Sequence, residues 1–308
     1  MTDETRQILL VTHTGRPSAT ETARRLVTRL QTEGIDVVAP ADEAAELAVS
    51  RVGAWSGAET VELVVVVGGD GTILRGAELA RAGRTPLLGI NVGRVGFLAE
   101  AEQHDLDRVA EQIVAKDYTV EPRVAVEVEI EIDGQIRHRN WALNEIAVEK
   151  ASRSRMIEVG VEVDGRRLSR WGCDGVVCAT PTGSTAYAFS AGGPVVWPEV
   201  DALLVVPLSA HALFARPLVI APSSVIRIDL LPRSAPAVLS ADGRRGLDLP
   251  PGAGVSVRRS DQPVLLARVE TTPFTARLVA KFGLPVQGWT VDRDRSRREA
   301  APEAGSPQ

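Results

Sequence analysis

Hydrophobic positions follow two regimes along the chain. Through the first third, short apolar runs alternate with stretches whose apolar residues recur every three or four positions. Residues 8–12 read as a strand, and 20–31 as a helix with Ala23, Leu26, Val27 and Leu30 on one face. Residues 35–38, 62–67 and 86–91 predict further strands, with helices over 72–82 and 105–114. The run 63–67 is apolar at every position, which suits a parallel strand covered on both faces. From Arg123 the period changes to two. Val124, Val126, Val128, Ile130 and Ile132 alternate with mostly polar neighbours up to an Asp133-Gly134 turn, and Ile157, Val159, Val161 and Val163 repeat the pattern up to Asp164-Gly165. With 225–230, 237–239 and 255–258 as more strands, the second part is antiparallel and β-rich, followed by a helix over 274–282. The expected organisation is an α/β domain over 1–120, a β-rich domain over 121–273, a helix and return segment over 274–289, and a charged, disordered tail over 290–308.

Charge and composition narrow the function. Thirty-five Lys and Arg stand against 40 Asp and Glu, a net charge of -5, and aromatic residues make up 4%, so a nucleic-acid-binding module is disfavoured. No apolar run approaches the roughly 20 residues of a membrane span, and the first seven residues are too polar for a signal peptide, so no membrane partner and a cytoplasmic location are expected. Cys173 and Cys178 have no second pair or histidine nearby and read as buried thiols. His13, His104, His138 and His211 are scattered, which demotes zinc and hydrolase chemistry.

Three segments carry chemistry. Gly68, Gly69, Asp70, Gly71 and Thr72 follow the buried run 63–67 and lead into a helix, at the edge where open α/β sheets bind ligands. Glycines let the backbone approach a phosphate, and the helix start adds a favourable dipole. A carboxylate there would repel phosphate unless it binds a cation or accepts a proton from an attacking hydroxyl, so Asp70 argues for phosphoryl transfer; the alternative is a helix cap. No lysine follows, so this is not a P-loop. Arg75, one turn on, reaches either phosphate or solvent. A second glycine-rich stretch, 89–98, contains Phe97, which lines a pocket or joins the core. The third segment, 173–194, gathers Thr182, Ser184, Thr185, Tyr187 and several glycines after a strand; its hydroxyls suit helix caps and ligand contacts, and its small residues leave room for a ring. Asn144 and Glu145, at the end of a strand over 141–143, suit ribose hydroxyls or a plain turn.

Taken together, GGDGTIL at 68–74, the pair Asn144-Glu145 and DGVVCATPTGSTAYAFSAGGP at 174–194 closely resemble the bacterial NAD kinases, from about Leu9 to Trp289. GGDGT alone is shared with lipid kinases; the TPTGSTAY block selects NAD kinase. A lipid kinase or a non-catalytic dinucleotide sensor are the competing readings, and a sensor has no need of Asp70. The resemblance implies a Rossmann-like open α/β domain and a β-rich antiparallel domain, with transfer of the terminal phosphate of ATP, or of polyphosphate, to the 2′-hydroxyl of the adenosine ribose of NAD. It further implies a divalent cation such as Mg²⁺ and a homo-oligomer, tetramer or dimer. By residue matching, Asp70 is the proton acceptor; Asp70, Gly71, Asn144, Glu145, Asp174, Thr185, Ala186, Tyr187, Phe189 and Ser190 contact NAD; Arg75 and Arg155 are auxiliary. Metal ligands are not assigned. Gly76 departs from the alanine frequent in relatives, and the segment between Gln31 and Glu62 carries no matching motif.

Overall fold

The structure is a computed structural model and describes residues 6–13, 15–51, 61–93, 96–99, 101–102, 105–269 and 272–286. The expected tail over 290–308 lies outside the described residues, as do Arg94 and Val95 of the second glycine-rich stretch.

Strands and helices alternate first: β1 (Gln7–Thr12), α1 (Pro17–Thr32), β2 (Asp36–Ala39), α2 (Ala44–Leu47), β3 (Ser50–Arg51), β4 (Leu63–Gly68), α3 (Asp70–Gly83), β5 (Leu87–Asn91), β6 (Ala101–Glu102), α4 (Leu106–Ala115) and β7 (Thr119–Arg123). Every residue from Leu63 to Val67 is 0% exposed, because separate apolar clusters cover the two faces of the sheet. Two helices start earlier than their apolar period suggests. Pro17 opens α1, where a missing N–H costs nothing, and Asp70 itself is the first residue of α3, with Gly69 as its cap. The helix-cap alternative for Asp70 is thereby corrected: cap and carboxylate are neighbours. Gly76 has a steric reason. A Cβ there would overlap Val66 and press on Leu87, so glycine lets α3 lie directly on β4 and β5, offsetting a propensity cost of about 1 kcal/mol.

The antiparallel part comprises β8 (Val126–Ile132), β9 (Gln135–Ala142), β10 (Glu145–Lys150), β11 (Ile157–Val163), β12 (Arg166–Cys173), β13 (Gly175–Ala179), α5 (Tyr187–Ser190), β14 (Leu203–Leu208), β15 (Leu218–Ile220), β16 (Ile226–Leu230), β17 (Ala237–Ala241), β18 (Arg245–Leu249) and β19 (Gly254–Arg259). They form two six-stranded sheets, in the orders β15-β14-β13-β10-β17-β18 and β12-β11-β16-β19-β8-β9. Val128, Val159, Trp171, Cys173, Cys178 and Leu239 belong to the core between them, and burial pushes both thiols above their ordinary values.

After β19 the chain returns to the first sheet. β20 (Val264–Arg268) inserts between β5 and β7, parallel to the former and antiparallel to the latter, and α6 (Phe274–Phe282) follows. The open α/β sheet therefore takes Thr119–Arg123 and Val264–Arg268 from either side of the antiparallel part. A five-residue apolar run does not say which sheet receives it. Among the described residues, no helix is long and apolar enough to cross a membrane.

Candidate active site

The GGDGT turn joins the end of β4 to the start of α3. Gly68 sits against Thr72, where a Cβ would come within 2.7 Å of its hydroxyl, and the Thr72 amide closes the turn onto the Gly69 carbonyl at 2.9 Å. The amides of Asp70 and Gly71, ahead of the first bonds to the Gly69 carbonyl, have no acceptor within the helix and are left to serve an anion. The Asp70 carboxylate accepts from the backbone amides of Phe97 and Leu98 at 3.4 and 3.3 Å, and Gly96 lies so close that any Cβ would collide with Oδ1. The second glycine-rich stretch thus folds against the first because glycine alone leaves room for the aspartate.

Asp70 and the turn from Gly69 to Thr72 line a cavity of about 540 Å³ together with His13, Arg16, Arg75 and Arg244. Arg75 is fixed by Glu43 and, at 2.9 Å, by Asp42. Glu43 is 0% exposed and also accepts the Thr12 amide at 2.6 Å; burial raises its pKa against the opposing pull of that amide and of Arg75. Both acids come from the segment that carries no recognisable motif. His13, Arg16 and Arg244 likewise escape sequence reasoning, since scattered cations give no signal until the fold gathers them.

Asn144 lies in the turn between β9 and β10, and Glu145 opens β10 rather than closing a strand. Its turn is held by Asp242, whose carboxylate accepts the amides of Leu143, Asn144 and Glu145 at 3.0, 2.7 and 3.3 Å and pairs with Arg245 at 2.9 Å. Gly183 fits against the Asn144 backbone, where no Cβ fits. Thr180 donates to the Leu143 carbonyl at 2.6 Å and accepts the Gly183 amide at 3.1 Å. The TPTGS block and the Asn-Glu turn are therefore one packed unit.

Glu145 is 6% exposed, and its Oε2 has no hydrogen-bond partner among the described residues. Burial, and secondarily the charge of Asp242, pushes its carboxyl from an ordinary 4.5 up to about 8, with the Tyr187 amide opposing. Since the folded value lies above the unfolded one, the folded chain keeps a proton that the unfolded chain sheds. This contribution to stability is complete below about pH 4.5 and shrinks as pH rises to about 8. Glu145→Gln is expected to remove it: denaturant titrations at about pH 6 and about pH 8 should show the parent chain losing more stability than the variant.

The remaining predicted residues separate by role. Tyr187 opens α5 and donates to Glu149 at 2.6 Å; burial, then Glu149, raises its phenol. Asp174 pairs with Lys150 at 2.5 Å, an unforeseen partner. Thr185 and Ala186 are half-buried, and Phe189 and Ser190 exposed, on the same turn. Ser184, expected to offer its hydroxyl, is 0% exposed and spends it on the Val196 backbone at 3.2 and 2.9 Å, and no side chain caps α5 or the 3₁₀ turn Thr182–Thr185 that precedes it. Arg155 is exposed on the turn between β10 and β11. Phe97 and Leu98 share a second cavity, about 280 Å³, with Thr182 and Thr185, while the Phe97 ring packs on Phe274 and Phe282.

The two parts of the chain match two family models: residues 8–118 the ATP-NAD kinase N-terminal domain, and residues 143–269 the ATP-NAD kinase C-terminal domain. The chain belongs to the NAD kinase family. It is 54% identical over 290 residues to an NAD kinase 2 of Streptomyces coelicolor, covering 92% of this chain and 96% of that one. It is also 54% identical over 298 residues to an NAD kinase of Thermobifida fusca, covering 92% and 91%. Among solved structures, an NAD kinase from Archaeoglobus fulgidus in complex with ATP superposes with a TM-score of 0.67 at 28% identity, covering 90% of this chain and 97% of that one. A yeast NADH kinase complexed with NADH shares the fold, with a TM-score of 0.85 at 24% identity over 94% and 90%. The enzyme is a phosphotransferase acting on NAD, and the lipid-kinase and sensor readings are set aside by these identities.

Proposed function

We propose that the enzyme moves the terminal phosphate of ATP to the 2′-hydroxyl of the adenosine ribose of NAD, giving NADP. The observation that carries this reading is Asp70 at the head of α3, facing a cavity it shares with Arg16, Arg75 and Arg244. Asp70 accepts the hydroxyl proton late in a loose transition state, while the arginines and the first amides of α3 take up charge on the phosphates. The ribose lies between Asp70 and the Asn144-Glu145 turn. The partnerless Oε2 of Glu145 suits a sugar hydroxyl, and a carboxyl with a pKa of about 8 both donates and accepts near neutral pH. Asp174, Thr185, Ala186, Tyr187, Phe189 and Ser190 hold the rest of the dinucleotide, with Arg155 at its margin.

No group of three or more His, Cys, Asp or Glu among the described residues is set to cage a metal ion. A divalent cation such as Mg²⁺ would instead be carried by the donor phosphate oxygens and water, leaving the Asp70 carboxylate to take the proton. When bound it would neutralise charge on the transferring group. Apart from Asp70, the described lining of the donor cavity is threonine, histidine, glycine and arginine, suited to a phosphate chain more than to a base, so inorganic polyphosphate is expected to substitute for ATP. An end-point assay of NADP from NAD, Mg²⁺ and either donor tests this; product from neither sinks the donor site, and product from ATP alone sinks recognition through phosphates. A homo-oligomer, tetramer or dimer, in the cytoplasm completes the reading. Leu213, Phe214 and Val219, exposed on and beside edge strand β15, give it an apolar surface.

A further inference from the structure

α6 is remote in sequence from the GGDGT turn, yet one of its residues reaches the backbone that faces Asp70. Arg277 is 6% exposed, an uncommon place for a guanidinium. Its Nη1 donates to the Ala99 carbonyl at 2.6 Å and to the Phe97 carbonyl at 3.3 Å. The Phe97 carbonyl and the Leu98 amide belong to one peptide unit. In a planar trans peptide the C=O and N–H point in opposite directions. Arg277 grips this unit at its oxygen, and the opposite end presents the Leu98 N–H to Asp70 Oδ1 at 3.3 Å, beside the Phe97 amide at 3.4 Å to Oδ2.

The helix is itself anchored at this spot. Phe274 and Phe282 each lie 5.8 Å from the Phe97 ring, and Phe282 also stacks at 4.6 Å on Phe189, one of the residues expected to contact NAD. Burying a guanidinium is costly unless its hydrogen bonds are met, and the carbonyls of Phe97 and Ala99 both accept from Nη1 here. A positive charge on the oxygen of a peptide polarises its N–H, strengthening the bond that the amide makes on its far side.

We infer that Arg277 is a positioning residue for the phosphoryl-transfer carboxylate, setting the orientation of Asp70 through the Phe97–Leu98 peptide. The inference rests on Asp70 as proton acceptor. What Arg277 orients is the proton acceptor, so its loss is expected to act on turnover more than on affinity.

The test compares Arg277→Met, Arg277→Lys and Asp70→Asn in the full chain, reading kcat, KM for NAD and thermal melting. Arg277→Met is expected to lower kcat by about tenfold to a hundredfold, the range for a misplaced reacting group, with KM for NAD within about twofold. Lysine keeps a donor but not the fork, so Arg277→Lys should fall between, about threefold to tenfold down in kcat. Parental kcat in Arg277→Met overturns the inference. So does a parallel loss of kcat and NAD affinity that lysine fails to relieve, because that pattern marks fold support alone. Should Arg277→Met not fold, Arg277→Lys decides: lower kcat at unchanged KM supports the inference, parental kcat overturns it, and failure of both variants to fold assigns Arg277 to stability. Full turnover in Asp70→Asn would overturn the proton-acceptor role itself, whatever the Arg277 variants do.

Discussion

Asp70→Asn is expected to leave NAD binding within about twofold of the parent chain while turnover falls on the order of 10³-fold. Asparagine has the same shape and keeps one oxygen to accept an amide from the Phe97–Leu98 loop, so the head of α3 and the packing of Gly96 against it should survive. What it lacks is basicity. A ribose hydroxyl loses its proton only as the bond to phosphorus forms, and without a carboxylate that proton has no acceptor at the point where the cavity meets the sugar. The arginines and helix amides remain, so residual turnover above the uncatalysed rate should persist. Calorimetry with NAD beside an NADP-specific coupled assay separates the two quantities. If both fall together, Asp70 is a binding group; if neither falls, the proton goes elsewhere.

Asp242→Ala is expected to be the most destabilising change near the site, costing about 3–5 kcal/mol, because it strips a buried acceptor from three amides and leaves Arg245 beside a hole. In melting temperature this corresponds to a drop on the order of 10 °C. Affinity for NAD should weaken by about tenfold, since the Asn144-Glu145 turn loses the carboxylate that organises it. The pH response supplies a second signature. Asp242 is one of the causes that raise the Glu145 carboxyl, so in Asp242→Ala the fall in stability between about pH 5 and about pH 8 should become shallower. An unchanged melting point would show that the turn is held by Gly183 and Thr180 alone.

The sequence made the layered order of the first part legible because the run Leu63–Val67 and the helical period before Gln31 are strong, local signals. It made Asp70, Asn144 and Glu145 legible because each lies inside a motif. The residues that position them are another matter. Glu43 stands in a stretch of alanines and acids that reads as surface, and only the tertiary approach of Arg75 and Thr12 buries it. Asp242 precedes a glycine and has φ of 54°, so its sequence signal is that of a turn, although its carboxylate organises a different loop about a hundred residues away. Arg277 sits on a helix whose bounds periodicity gives correctly, but periodicity does not reveal which of its polar residues faces inward. Ser184 is the converse case: its motif advertises a ligand hydroxyl, and packing against Val196 consumes it. Motifs name the groups proposed to touch substrate, and their supports come from wherever the fold brings a matching charge.

The insertion of β20 between β5 and β7 matters during synthesis. While the ribosome is still making the antiparallel sheets, β5 has only β6, opposite Ile90 and Asn91, on its side toward β7, and the part around Leu87 that will receive β20 is an open parallel edge in a nascent chain. The first layer can collapse early on its β1-β4-β5 contacts, but its sheet is finished only after residue 268 has left the exit tunnel, and Asp70 gains the support of α6 later still. Such a nascent chain exposes an adhesive strand edge for most of its translation. A longer wait for the last pairing of the first sheet, and a greater tendency to aggregate when elongation stalls between β5 and β20, are the expected consequences of closing a layer with a strand drawn from near the end of the message.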